Sequence, residues 1–307
     1  MMPSPGRRRI RRSDRRFGRR LLAAMGAFVL AACGGRSAVP SASAQAIAGA
    51  WRMDERVVVT DFQRATALAR SPDRLFIATD GGLAVLRDAF GRWELPVTRE
   101  DGYPDSQVRA LAWDRRDASL WLSTRDGRLL QLEVDGRRWL DSYSVGGVVD
   151  RIVAPATDPD RLFLRIGGRW SAFDPFTRRS ERVSPAEAQA AVQADFDLRD
   201  RAELLDDPSW EAAQAYLGRR DSRRYEVTDV MPSAGAPGEF WVATYGGFLE
   251  RYDSLSGDAE PVDYGIVGLG AAAVHVDPAE GRLWFAPRRP SDRYGVGSAD
   301  PALQDWT

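Results

Sequence analysis

Carboxylates, guanidinium groups and phenols are the reactive side chains that recur at matched places in this sequence. Asp80 and Asp126 stand in equivalent turns, TDGG and TRDG, and Asp101 and Asp105 flank a loop reading TREDGYPDSQV. Two acids facing each other across a sugar ring can hydrolyse a glycosidic bond, given a separation of ~6.5–9.5 Å in the inverting mode. With 44 Asp and Glu in 307 residues such coincidences are common, and spacing along the chain does not set that distance. A second set, Tyr103, Arg125, Asp126, Tyr245 and Arg288, occupies the same class of loop, with Asp80 and Arg289 beside it. Aromatic faces stack on sugars and peptides, and guanidinium forks pair with carboxylates. This set is the expected ligand-binding surface; the plain alternative is a solvated loop rim.

Composition closes off other chemistries. His275 and Cys33 are the sole histidine and cysteine, and all 43 basic residues are arginine. Sites built from two imidazoles, a thiol pair or a cysteine cage are therefore excluded. No D-x-D-x-D-G calcium loop occurs; the nearest run, Asp195-Phe196-Asp197, lacks the glycine and the later glutamate. No metal, cofactor or catalytic residue is expected. His275 lies in AAAVHVD, where simple alternation sets it on one side of a strand with Ala271 and Ala273, as a structural histidine.

The elements that would position these residues repeat. LFIATDGG (75–82), LWLSTRDG (120–127), LFLRIGG (162–168), FWVATYGG (240–247) and LWFAPRR (283–289) share an apolar-aromatic strand, four of them ending in a glycine turn. The second residues, Phe76, Trp121, Phe163, Trp241 and Trp284, are spaced by 45, 42, 78 and 43. That period belongs to propeller blades of four strands. Inner strands are read at Val108 to Trp113, Val148 to Val153 and Ala272 to Val276, third strands at Leu83 to Leu86, Leu129 to Leu132 and Phe248 to Tyr252, and outer strands near Trp93 and Trp139. The expected fold is all-β, a β-propeller of about five four-stranded blades with a small α-helical insertion. The recurring aromatics are expected to pack between sheets.

Two features remain open at this level. The last blade is short, and either Trp51 to Thr60 supplies its outer strand or the chain is a piece of a longer propeller. The long spacing is filled by residues 184–224, where Ser184-Pro185-Ala186-Glu187 forms a capping box, Asp207-Pro208-Ser209-Trp210-Glu211 opens a second helix, and a short segment at 202–205 lies between them. This insertion is expected beside the glycine turns, over the channel mouth, or else as a hairpin packed on the rim.

The segment from Thr98 to Val108, followed by an inner strand and LWLST, resembles the repeat of two-component-regulator-type sensor propellers, with their T-x-E-D-G-L-P linker; TYGGFLERYD (244–253) matches its second half. The resemblance covers residues 59–307 in pieces and implies architecture rather than activity. In that family a transmembrane segment and a kinase or DNA-binding domain accompany the propeller, and this sequence is expected to lack them.

At the other end, nine arginines against one acid in residues 1–20 run into an apolar stretch, Leu21 to Ala32, that finishes LAACG. Twelve residues are too few to span a bilayer, which takes about 20, so the stretch reads as an export signal. LAACG resembles the lipobox of bacterial lipoproteins, which implies cleavage before Cys33 and lipid on its sulfur. An ordinary signal peptide with a chance cysteine is the alternative, and Arg15-Arg16-Phe17 and Arg19-Arg20-Leu21-Leu22 leave twin-arginine export open beside the general route. The expected domains are a signal peptide at 1–32, a tether at 33–50 and a propeller at 51–307 carrying the insertion. Without residues 1–32 the chain holds 34 arginines and 43 acids, a formal charge of −9, so nucleic acid is not an expected partner. The expectation is a lipid-anchored module of the bacterial cell envelope, facing periplasm or cell surface. It would bind an envelope protein or a carbohydrate or peptide ligand without catalysis; the alternative is an extracytoplasmic polysaccharide hydrolase or lyase using top-face carboxylates.

Overall fold

Runs of β-branched, leucine and aromatic residues, broken every few positions by Gly or Asp turns, fold as antiparallel four-stranded meanders. In the computed structural model, residues 60–87, 91–155, 158, 160–194, 225–233, 237–262, 264–265, 271–287 and 296–306 are described. The chain divides into two units, Met1–Met53 and Asp54–Thr307, and all described residues lie in the second. The first sheet is β1 (Ala65–Arg70), β2 (Leu75–Thr79), β3 (Leu83–Arg87) and β4 (Arg92–Trp93), in that spatial order. The second is β5 (Val108–Asp114), β6 (Ser119–Thr124), β7 (Arg128–Glu133) and β8 (Arg138–Ser144). The third is β9 (Val149–Val153), β10 (Leu162–Ile166), β11 (Arg169–Asp174) and β12 (Arg179–Arg182). The fourth is β13 (Glu226–Pro232), β14 (Glu239–Tyr245), β15 (Phe248–Asp253) and β16 (Asp258–Val262). The fifth has three described strands, β17 (Ala271–Val276), β18 (Leu283–Pro287) and β19 (Gly297–Ala299). The inner and third strands read from sequence are all present, and no boundary moves by more than one residue.

One irregularity recurs in all five first strands. The register slips by one residue at Thr66, Arg109, Asp150, Thr228 and Ala272. Each lies three positions before the residue that pairs with the strand-two aromatic, as Ala69 pairs with Phe76 and Met231 with Trp241. A bulge reverses side-chain alternation. Ala65 and Leu68 thus face the fourth sheet while Ala67 and Ala69 face the second. The same slip corrects the reading of His275: it shares a face with Ala273, Ala271 falls on the other, and the imidazole is exposed.

Packing between sheets joins second to first, third to second and fourth to first. Phe76, Leu111 and Leu132 fill the first interface, Trp121, Tyr143 and Phe173 the second, and Leu68, Met231 and Trp241 the third. Phe76 stacks on Trp113 at 5.5 Å and Tyr143 meets Phe173 edge-on at 5.2 Å, so these aromatics are structural.

The meeting of first and fourth sheets is a seam between segments about 160 to 185 residues apart. The Gln63 carbonyl accepts from the N–H groups of Gly246 (3.0 Å) and Phe248 (2.9 Å). The Thr228 hydroxyl donates to the Ala65 carbonyl at 2.9 Å, the Leu68 N–H donates to the Asp229 carboxylate at 2.8 Å, and Arg70 donates to the Pro232 carbonyl at 2.6 Å.

Among the described residues no apolar cluster joins third and fourth sheets. Helix α1 (Pro185–Ala194) lies against the third sheet instead, with the Ser184 hydroxyl accepting from the Glu187 N–H at 3.2 Å as its N-cap. Ala191 is buried with Val153, Phe163 and Ala172. The described part of the insertion thus covers a sheet face and lines no part of the channel, its small apolar stripe packing on Val153, Phe163 and Ala172. The second helix and the segment at 202–205, like Cys33, Arg288 and Trp51 to Val59, lie outside the described residues.

Candidate functional site

Four first strands, β1, β5, β9 and β13, stand around one cavity of about 840 Å³. Its wall carries eight arginines and five acids. The bulge residues of these strands, Thr66, Arg109, Asp150 and Thr228, all line it. Two of them turn back on the fold: Thr66 donates to the Ala78 carbonyl (3.3 Å), and the Thr228 hydroxyl, shared between the Ala65 and Ala243 carbonyls, lies 3.2 Å from the latter at the equivalent position of the neighbouring fourth sheet. Both hydroxyls satisfy a carbonyl at the slipped register. Sequence reasoning missed this ring, whose one signal is a fixed offset from the aromatic landmark.

At the mouth, three chain segments converge on Asp80. Its carboxylate accepts from Gln107 Nε2 (3.1 Å), the Tyr245 hydroxyl (3.1 Å) and Arg64 (3.5 Å). Arg64 also lies 6.0 Å from the centre of the Tyr245 ring. Asp80 therefore ties the first, second and fourth sheets together.

The residues expected to meet a ligand are distributed unevenly. Arg125 and Tyr245 are exposed at the mouth and line the cavity. Asp126 is exposed in the same turn as Arg125, accepting a hydrogen bond from the Thr124 hydroxyl and pairing with Arg128 at 3.0 Å. Those two donors, the hydroxyl foremost, hold its carboxyl below the usual range. Tyr103 is not available for stacking. Its ring is buried between first and second sheets, its hydroxyl donates to the Thr79 carbonyl at 3.0 Å, and burial pushes that hydroxyl above the ordinary phenol range.

The acids expected as alternative catalysts are engaged. Asp101 accepts from the Thr98 N–H (2.8 Å), closing the turn Arg99–Asp101, and meets Arg137 at 3.3 Å, while Asp105 pairs with Arg99 at 3.1 Å. Within the cavity, Asp114 pairs with Arg116 (3.3 Å), Asp150 with Arg165 (2.8 Å) and Asp158 with Arg161 (2.5 Å). Asp229 accepts from the N–H groups of Leu68 and Val230. Among the described residues no group of three or more His, Cys, Asp or Glu is placed to hold a metal ion.

Antiparallel meanders whose first strands stand around a shared channel define a β-propeller, and this chain is one. No protein-family model and no curated protein matches its sequence. Among solved structures it aligns with hydrazine synthase of Kuenenia stuttgartiensis at 11% identity and a TM-score of 0.35, over 83% of this chain and 68% of that one. It also aligns with the β-propeller domain of Cps50 (Swd1) of Myceliophteria thermophila, at 12% identity and 0.33, over 79% and 67%. A third is the extracellular domain of a protein assigned to a hybrid two-component system of B. thetaiotaomicron, at 11% identity and 0.32, over 80% of this chain and 30% of that one. This chain thus spans under a third of that extracellular domain.

Proposed function

We propose that this chain is a lipid-anchored, extracytoplasmic β-propeller that holds a ligand or protein partner at its channel mouth and catalyses no reaction. The observation that carries the reading is the state of the cavity acids. Four of the five cavity acids are engaged, Asp114, Asp150 and Asp158 by arginines and Asp229 by backbone donors; the fifth, Glu226, is exposed and stands without a second free acid, while Arg125 and Tyr245 face outward at the mouth. General acid and base work needs a carboxyl free to take and give a proton. Recognition needs fixed donors and an aromatic surface on a rigid frame. Anchoring rests on the basic and apolar N-terminal segment that ends at Cys33, with residues 34–50, rich in small side chains, as tether. Among the described residues no helix is long and apolar enough to cross a membrane.

The test is fractionation of envelope membranes together with partner recovery. Wild type is expected in the membrane fraction and Cys33→Ser in the soluble fraction, both folded. Arg125→Ala combined with Tyr245→Ala is expected to lower partner recovery while the variant stays folded, at a stability cost of about 0.5–1.5 kcal/mol for the lost hydrogen bond from Tyr245 to Asp80. A membrane-bound Cys33→Ser removes the lipid anchor from this reading. Unchanged recovery by the folded double variant removes the mouth as its site.

A further inference from the structure

We infer that the channel mouth is a receptor for a small polyanion, a ligand bearing two or more carboxylate or phosphate groups, gripped by Arg109 and Arg125. Charge distribution is the first argument. The sequence as a whole carries more acids than arginines, 44 against 43, yet the cavity wall reverses the balance with eight arginines and five acids. Four of those acids are already engaged inside the fold, as described above, which leaves Glu226, opposite Tyr245 at the start of β13, as the one cavity acid set against the remaining cations.

Two arginines are left facing the mouth. Arg109 is the bulge residue of β5, exposed, and among the described residues its guanidinium donates to a neutral acceptor, Gln107 Oε1, at 3.3 Å. Arg125 follows β6, and its guanidinium has no hydrogen bond or ion pair among the described residues. Both are fixed to the same residue, because the Arg125 backbone N–H donates to the Gln107 carbonyl at 2.8 Å. Gln107 is itself oriented: its Nε2 donates to Asp80, which turns its amide oxygen toward Arg109. Asp80 and Gln107 are therefore positioning residues, and the guanidinium groups are the binding groups.

Like charges held beside one another in a concave wall repel, and an anion between them relieves that repulsion while gaining forked hydrogen bonds. A ligand with one charge would satisfy a single fork; two anionic groups use both. The volume, about 840 Å³, lies within the ~300–1,000 Å³ range of small-molecule sites.

The inference rests on the binding reading above and deepens it. Its test is calorimetric titration of the purified full chain with citrate and, separately, with inorganic pyrophosphate, at low salt. Saturable one-to-one binding of at least one probe is expected, weakened tenfold or more in Arg109→Gln and in Arg125→Gln, with melting temperatures near wild type. Binding of citrate alone assigns a polycarboxylate, and of pyrophosphate alone a polyphosphate. Arg115→Gln, at the far end of β5 in the same cavity, is expected to bind like wild type. Saturation by neither probe overturns the inference, and so does equal affinity in folded Arg109→Gln and Arg125→Gln. If either of those variants fails to fold, the other carries the comparison; equal weakening by Arg115→Gln overturns the placement at the mouth. Failure here with envelope-partner recovery intact removes the anion site alone, whereas probe binding with no partner recovered removes the protein-partner half of the earlier reading.

Discussion

In the first sheet, Leu68 lies two residues beyond the bulge at Thr66 and is 2% exposed; in the fifth, Val274 lies two residues beyond the bulge at Ala272 and is 57% exposed. Their second strands, LFIAT and LWFAP, follow one pattern, yet Phe76 is fully buried and Trp284 is 40% exposed. The two sheets share register, bulge and aromatic landmark. They differ in neighbours: β1 is flanked by second and fourth sheets, while β17 lines neither the channel nor a described apolar interface. A blade's own sequence fixes its internal pairing, and burial of its first strand is conferred by whichever sheet packs on it.

The sharpest way to break this contrast is to truncate both positions. Leu68→Ala is expected to lower unfolding stability by about 2–5 kcal/mol, through lost burial and a residual cavity, and Val274→Ala by less than about 0.5 kcal/mol. Urea unfolding of each measures it. A large loss for Val274→Ala would mean that β17 is covered in solution and that the contrast is false.

The seam offers the next test. Asp229→Ala leaves the Leu68 N–H without its acceptor between first and fourth sheets and is expected to cost about 1–3 kcal/mol; Asp229→Asn, which keeps an acceptor oxygen, is expected to cost less. Equal losses would assign the effect to charge in place of the hydrogen bond.

A smaller effect is expected where a helix replaces a sheet as the partner. Ser184→Ala removes the cap of α1 and is expected to cost about 1 kcal/mol. Hydrogen exchange should quicken in 185–191 while β10 stays protected. Faster exchange in β10 as well would show that the third sheet depends on the helix as the first depends on the fourth.

The least effect concerns the turns before the outer strands, where the residue at the same place is left-handed in four sheets: Gly91 (φ 59°), Arg137 (φ 49°), Arg178 (φ 59°) and Gly257 (φ 74°). Gly257→Ala is expected to cost about 1 kcal/mol. Arg178→Gly is expected to be close to neutral, because relief of strain is offset by a longer list of unfolded conformations and by loss of the Arg178 contact with the Tyr143 ring, 5.5 Å away. Thermal melts of the two variants decide it.

Much of the fold is legible in the sequence for a physical reason. An apolar-aromatic run closed by a glycine turn leaves few ways to pair, so strands two and three of each sheet follow from Phe76, Trp121, Phe163 and Trp241. The bulges do not follow, because slipping is a backbone event and its five residues, Thr66, Arg109, Asp150, Thr228 and Ala272, share no one side-chain chemistry, only the two threonines being alike. Sheet order is equally hidden: the hydrogen bonds joining Gln63 to Gly246 link segments with no local cue to each other. The position of Arg125 and Tyr245 at the cavity mouth is legible from the turns that carry them. Tyr103 was misread because a loop tyrosine looks exposed until the gap between two sheets is known, and Asp80 because a turn aspartate gives no sign of three donors arriving from other segments.

The seam also decides how the molecule answers a mechanical load. Tension applied to the chain ahead of Thr60 reaches Gln63 before it reaches β1, and there the backbone is knotted by two hydrogen bonds to Gly246 and Phe248, with Thr228 and Asp229 clasping the next residues. The Thr60 hydroxyl also donates to the Gly81 carbonyl at 2.9 Å, so strain is shared between the first and fourth sheets. A propeller hung from its N-terminal end would carry its weight across two sheets at once, and would open by shearing that joint as a whole.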